Sequence, residues 1–505
     1  MRPLIGLLPR GDPLAVQTDK KIPILKGSGS MAASGSNSPS DFSLFFDPKS
    51  VAVIGSFREG TFGGYVVIKS LLKAGYGGRI HPVNPGYKEV LGLKVYPSVG
   101  AIPSTADLAL IMINARRVPD VIRECAESGI RAIVLVADGF AERDREGARL
   151  QEEVVGIARE RGLRIIGPNT AGLVNNHNGF NPSPYDAGYY GFKKGAVTIC
   201  SQTGMINPQA YPYRDLGFGI SKLCDFGNKC DLDECDLLEY LEEDSTTEVI
   251  SMYLETIRDG RRFLTVCKRV AAKKPLLVLK VGATREGARA SASHTGSLAI
   301  DDKIFEAACR QSGILRLHEF NELFELPKVF TSQPLPKGNR LGLVSYTGAI
   351  GVLTADEGAK YGLTLASLAS ETAGRFEDLF PGLGSMPVDI GPMIPSVKDF
   401  STVYSGILQA VLRDENVDSL FNVLWADAYG NNTKAYLDTY EELKSSLRKP
   451  VVTWIYGPNP SKVLDLTSRI EGLGFPVFGE PERCVKALGL LFKYANRLQR
   501  NALPV

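Results

Sequence analysis

One histidine in this chain is set where it could act on a ligand. Of four histidines, His294 alone stands among small residues, in Ala290-Ser291-Ala292-Ser293-His294-Thr295-Gly296-Ser297-Leu298-Ala299, and no bulky neighbour crowds its ring. Gly282, Arg285, Gly287 and Arg289 make the preceding segment an open, cationic loop. The apolar run Pro275–Leu279 before it reads as a buried parallel strand. Loops at the carboxyl ends of such strands are where open α/β sheets place their ligands. A surface histidine in a flexible loop is the other reading of the same residues. Glu255 ends a second apolar run, Val249–Leu254, so Glu255 and His294 both follow strands that could be neighbours in one sheet.

Three turns have the makings of anion sites. The strand Ser50–Gly55 runs into Ser56-Phe57-Arg58-Glu59-Gly60-Thr61-Phe62-Gly63-Gly64 and then a helical pattern from Tyr65 to Lys73. Glycines let a backbone approach closely, and a helix N-terminus offers N–H groups and a positive dipole end. The spacing is not G-x-G-x-x-G, so the dinucleotide fingerprint is absent. The strand 196–200 ends in Ser201-Gln202-Thr203-Gly204, and Arg340–Ser345 ends in Tyr346-Thr347-Gly348-Ala349-Ile350-Gly351; each is expected to open a helix. The hydroxyls suit anions, and they also suit plain helix capping.

The elements that must hold these turns alternate between strand and helix. Strands are expected at Arg79–Val83, Leu108–Ile113, Ala132–Val136 and Arg164–Ile166, with helices at 117–128 and 142–161. The pattern predicts an α/β fold: a Rossmann-like domain over 41–190, then two flavodoxin-like, doubly wound parallel-sheet domains over 191–333 and 338–505. A Pro-rich linker, Ser332 to Lys337, separates the last two, and residues 1–40 read as a disordered extension.

At 505 residues the chain is too long for one core. A formal net charge of +2 favours neither nucleic acid nor a membrane surface as partner. No apolar run is long enough to span a bilayer. Cys224, Cys230 and Cys235 cluster without a zinc spacing, so no metal site is expected and the eight cysteines read as reduced thiols of a cytoplasmic protein.

Taken in order, these segments resemble the nucleoside-diphosphate-forming (ADP-forming) acyl-CoA synthetases, relatives of succinyl-CoA synthetase, and best their alpha subunit. The resemblance covers roughly residues 45 to 500. It rests on Phe46-Asp47-Pro48-Lys49-Ser50-Val51-Ala52-Val53-Ile54-Gly55, Pro82-Val83-Asn84-Pro85, Gly139-Phe140-Ala141-Glu142, Gly167-Pro168-Asn169, Ser201-Gln202-Thr203-Gly204, Tyr253-Leu254-Glu255, Ser293-His294-Thr295-Gly296-Ser297 and Pro387-Val388-Asp389. It implies that acyl-CoA, ADP and phosphate interconvert with organic acid, CoA and ATP by way of an acyl phosphate and a phosphorylated His294, with Glu255 hydrogen-bonded to that histidine. An imidazole nitrogen, neutral near pH 7, suits such a nucleophile. The resemblance assigns phosphate binding to Ser201, Gln202, Thr203, Gly204, Thr347, Gly348 and Gly351. It assigns CoA to Gly55, Ser56, Phe57, Arg58, Gly63, Val83, Asn84, Pro85, Lys88, Ile113, Asn114 and Ala115. The family's ATP-grasp domain has no counterpart here, which implies a partner beta subunit carrying it, with Mg²⁺ on its nucleotide, in a heterotetramer.

The chain departs from the family's pattern at Met205, Thr170, Met386 and the Tyr346–Gly351 turn. Met205 is expected to reshape the acyl pocket. Two other functions fit parts of the sequence: a CoA- or acyl-CoA-sensing protein that kept the fold, and a nicotinamide-dependent oxidoreductase, which the missing fingerprint opposes.

Overall fold

The computed structural model describes residues 42–60, 62–185, 192–207, 211, 213, 216–287, 289, 301–427 and 430–502. His294 lies outside the described residues, as does the extension 1–40.

Three sheets follow one another along the chain. The first holds β1 (Ser50–Gly55), β2 (Arg79–Val83), β3 (Leu108–Met112), β4 (Ala132–Leu135) and β5 (Arg164–Ile166), all parallel, in the order β2-β1-β3-β4-β5. The second holds β6 (Leu173–Asn175), β7 (Lys194–Ser201), β8 (Ile220–Asp225), β9 (Val249–Leu254), β10 (Leu276–Lys280) and β11 (Leu315–Leu317), in the order β11-β10-β9-β7-β8-β6. Only β6 runs antiparallel there. The third is built on β12 (Arg340–Ser345), β13 (Thr364–Leu365), β14 (Val388–Asp389), β15 (Ser419–Trp425), β16 (Val451–Tyr456) and β17 (Val477–Phe478). Setting aside β6 and the short β14, all three sheets share one winding. The first strand lies second from an edge, and the order reverses between it and the third. That reversal opens a crevice at the strand carboxyl ends.

Successive strand residues feed different cores, as the two-residue period of a strand requires. Val51 and Val53 of β1 join a core with Ile250 and Met252 of β9 and Leu276 and Val278 of β10. Ala52 and Ile54 face the opposite side, among Ile111, Ile133 and Phe140. Leu277 and Leu279 of β10 pack in a core with Leu341 and Leu343 of β12 and with Leu488 and Leu491 of the closing helix Pro481–Ala502. Both faces are covered, which is why these strands read as unbroken apolar runs.

Two expectations need correction. Arg285, Gly287 and Arg289, read as part of an open loop, are helical. The Ser201–Gly204 turn leads, among the described residues, into a single 3₁₀ turn, Gly204–Ile206, and not an α-helix. Asn207 is extended (ψ 153°) and precedes Pro208, and a residue before proline is pushed out of the helical region. The equivalent turn in the third sheet does open a helix, Ala349–Ala359.

Candidate active site

The first two sheets meet where the chain crosses from one to the other. After β5 it runs through Gly167-Pro168-Asn169 into β6, beside the loop that follows β8. Two backbones touch there. The N–H groups of Asn228 and Cys230 donate to the carbonyls of Pro168 and Gly167, both at 2.9 Å. Gly227 has φ +55°, and a Cβ on it would stand 2.1 Å from the Pro168 oxygen. Asp225 closes the junction: its carboxylate accepts from the N–H of Ala171 at 2.6 Å and of Gly227 at 3.1 Å. Burial drives its pKa up from an ordinary 3.8 to about 6, and Glu255 nearby adds to the rise. Glu142 bridges the same junction, accepting from the N–H groups of Gly139 (2.6 Å) and Phe140 (3.0 Å) and from the Asn228 amide.

A cavity of about 570 Å³ opens over this junction. Ile113 and Asn114, past the end of β3, line it together with Gln202, Thr203 and Gly204, past the end of β7. Asn169, Asp225 and Asn228 also line it, as do Phe62 and Tyr185, edge to face at 5.3 Å. The Asn114 side chain caps the short 3₁₀ turn that follows, accepting from the Arg116 N–H at 3.1 Å.

The Ser201–Gly204 turn is rigid by its own hydrogen bonds. The Ser201 hydroxyl accepts from the Thr203 N–H at 2.9 Å and donates to the Thr203 carbonyl. The Thr203 hydroxyl in turn accepts from the Met205 N–H at 3.4 Å. Gln202 reaches across to β9. Its amide oxygen accepts from the N–H groups of Glu255 and Thr256, both at 3.0 Å, and its amide nitrogen donates to the Thr256 hydroxyl at 2.9 Å. Glu255 is buried and accepts from the Tyr253 hydroxyl at 3.4 Å. Beneath it the buried Lys229–Glu234 pair (2.8 Å) anchors the loop, Lys229 also donating to the Thr256 carbonyl at 2.7 Å.

The third sheet repeats the turn. Ser345 and Thr347 exchange the same two hydrogen bonds, at 2.9 and 3.0 Å. Thr347 and Gly348 stand at the end of β12 and line no wall of the cavity. Gly351 has a packing reason of its own, since a Cβ there would come within 2.8 Å of Pro387.

Of the described residues in the glycine turn after β1, only Phe62 lines the cavity. A Cβ on Gly55 would press on the Met112 carbonyl at 3.1 Å. Ser56 and Arg58 are exposed, the Ser56 hydroxyl accepting from the Arg58 N–H at 3.4 Å. Phe57 is buried against Tyr87 and the start of the following helix. Gly63 has φ +115°, which favours glycine. Asn84 spends its side chain on the fold, donating to the Gly55 carbonyl at 2.7 Å and accepting from the Gly86 N–H at 2.8 Å. Val83 and Ala115 are buried, while Pro85 and Lys88 are exposed beside this turn. Exposed backbone and an arginine at a glycine turn, next to an amide-lined cavity, form a donor set that fits a phosphate-bearing carrier with a long polar arm.

Residues 49–176 match the model of a CoA binding domain, and residues 194–330 match that of the succinyl-CoA ligase like flavodoxin domain. The alpha subunit of an ADP-forming acetate–CoA ligase II from Pyrococcus furiosus is 37% identical over 463 residues, which cover 90% of this chain and 98% of that one. The chain belongs to the ADP-forming acyl-CoA synthetase family. The ADP-forming acetate–CoA ligase II of Archaeoglobus fulgidus is also 37% identical, over 90% of this chain and 67% of that longer one. A solved acetyl-CoA synthetase from Ca. Korarchaeum cryptofilum, in complex with phosphate and ADP, superposes with a TM-score of 0.82 at 31% identity, over 92% of this chain and all of that one. As an acyl-CoA synthetase of the alpha-subunit type, the chain is a CoA-binding ligase component. Its family supports neither the sensing nor the oxidoreductase reading.

Asp225, Asn169, Asn228, Phe62 and Tyr185 line this synthetase's cavity and are not among the site residues expected from the sequence. Asn169 follows the expected strand Arg164–Ile166, but its convergence with Asp225 and Asn228 depends on the contact between Gly227 and Pro168, which no local pattern encodes.

Proposed function

We propose that this chain is the CoA-binding, phosphohistidine-bearing subunit of an ADP-forming acyl-CoA synthetase, with His294 carrying the phosphoryl group and Glu255 orienting it. The observation that supports this most is the cavity between Asn114 and the Gln202–Gly204 turn, with Gln202 also fixing Glu255. The domain of residues 41–190 holds CoA, which supplies the thiol, through Ser56, Arg58, Gly63, Asn114 and their neighbours. A phosphate oxygen adds to the thioester carbonyl, the C–S bond breaks, and the thiolate leaves and takes up a proton. Thr203 and the Gly204 N–H hold the phosphate oxygens. A His294 ring nitrogen then attacks phosphorus, and the P–O bond to the acyl group breaks to release the carboxylate. Glu255 accepts from the other ring nitrogen and stabilises the positive charge that forms there.

The phosphoryl group passes next to ADP on a partner. Pyrococcus furiosus relatives are named as alpha subunits, and the Archaeoglobus relative is half as long again as the matched region. We assign an ATP-grasp domain with Mg²⁺ to a separate beta subunit, in a heterotetramer with two copies of each chain. Thr347 and Gly348, whose turn has the same bonding as Ser201–Gly204, offer donors on the outward path. Among the described residues no helix is long and apolar enough to cross a membrane, and we place the protein in the cytoplasm.

The experiment is acyl-CoA synthesis by the reconstituted complex with His294→Ala. Synthesis is expected to vanish while CoA binding stays unchanged. Undiminished synthesis would rule the mechanism out.

A further inference from the structure

A second concavity, of about 720 Å³, lies where the helix Asp302–Ser312, strand β11 and the closing helix meet. Its residues are separate from those lining the cavity between Asn114 and Gln202. The closing helix places Arg483, Lys486, Lys493, Arg497 and Arg500 at spacings that keep them on one face. The first two are consumed by the buried Glu322, each at 2.5 Å. Lys493, Arg497 and Arg500 turn instead to the concavity, which Lys268 and Arg310 also line. Among the described residues Glu306 is the one acidic side chain in that lining, and it already serves both Arg310 (3.1 Å) and Arg316 (2.8 Å).

Arg497 is wedged in place. Its guanidinium occupies the space a side chain at Gly313 would need, 1.6 Å from where a Cβ would stand, and it donates to the Lys268 carbonyl at 3.4 Å. Its Nε is buried and has no hydrogen-bond partner. Lys493 lies over the Tyr361 ring at 4.9 Å. A structural role for these cations exists, because helix carbonyls end nearby and attract positive charge. Lys268, Arg310 and Arg500 each stand in the last turn of a different helix, which accounts for those three; it does not account for Lys493 and Arg497, the latter with an orphaned donor.

We propose that this groove is an anion site that takes the phosphate groups of a small organic phosphate. Fixed guanidinium and ammonium donors around a concavity of this size suit such a ligand, and its binding weakens with added salt.

The test is calorimetric titration of the full chain with ATP and, separately, with inorganic phosphate at low ionic strength. It compares wild type, Arg497→Gln, Lys493→Gln/Arg500→Gln and Thr203→Ala. Lys493 and Arg500 are exposed, so the double variant is expected to melt as wild type does. ATP binding should weaken at least about tenfold in that variant and in Arg497→Gln, and persist in Thr203→Ala. The proposal fails if ATP does not bind at millimolar concentration, or binds the double variant as it binds wild type. It fails equally if inorganic phosphate binds there and ATP does not, or if the double variant loses only assembly with the partner subunit.

Discussion

Gln202 holds Glu255 in place from the neighbouring strand. The Gln202 amide oxygen accepts from the backbone N–H groups of Glu255 and Thr256 at 3.0 Å each, while its own N–H donates to the Tyr253 carbonyl at 3.1 Å. The turn that faces the cavity and the carboxylate assigned to the histidine are therefore one rigid unit. A change at either is felt at both.

Removing that tie should cost both stability and turnover. Gln202→Ala leaves two buried N–H groups without partners, which costs on the order of 2–4 kcal/mol. Urea unfolding should show the loss, and kcat should fall more than the apparent affinity for CoA. A kcat within twofold of wild type would place the tie outside the reaction.

Glu255→Gln keeps the shape and removes the charge. Folding stability should change little, and turnover should fall roughly 10- to 100-fold, the usual effect of removing a residue that orients a reacting imidazole. Steady-state kinetics beside a thermal melt separates the two effects. A variant that melts early and turns over normally would assign Glu255 a purely structural role.

Asp225 gives a pH signature of opposite sign to that of carboxylates held in ion pairs, such as Asp244 and Glu322. Its folded pKa, about 6, lies above the ordinary 3.8, so the folded state holds the proton more tightly than the unfolded one. The stabilisation this gives is complete below pH 3.8 and disappears as pH rises through about 6. The gap corresponds to on the order of 3 kcal/mol at full effect. The stability of wild type relative to Asp225→Asn should therefore increase between pH 7 and pH 5. A difference in melting temperature that stays constant over that interval would contradict the assignment.

Gly227 is where the first two sheets meet backbone to backbone. Gly227→Ala meets the Pro168 carbonyl at 2.1 Å and must also hold φ +55°, so a loss of more than about 2 kcal/mol is expected. CoA affinity should fall with it, because Asn169, which lines the cavity together with Asn114, is carried on that junction. Unchanged melting would mean that the junction yields easily.

The strand–turn–helix units were legible because each is local. Apolar runs, glycine turns and polar strand ends mark β1, β7, β9 and β12, and they place Thr203 and Glu255 at strand carboxyl ends. Strand pairing was legible in part: β9 and β10 are indeed neighbours, as two adjacent apolar runs suggested. Long-range packing was not legible. Phe57 and Asn84 read as ligand contacts, but the fold spends much of both on packing and turn geometry. The Asp225–Ala171 bond joins residues 54 apart in sequence, and the convergence of its loop with Asn169 leaves no local mark. The α-helix expected after Gly204 is cut short because Asn207 precedes a proline.

The central claim is that His294 carries the phosphoryl group, and the most direct test labels it. The chain is incubated with γ-labelled ATP and Mg²⁺, with and without a beta subunit bearing the ATP-grasp domain, and the label is mapped by peptide mass spectrometry. The account predicts acid-labile, base-stable label on His294 only when the partner is present, discharged by acid plus CoA and absent from His294→Ala. Acyl-CoA synthesis by the same complex with no label on His294 would contradict it.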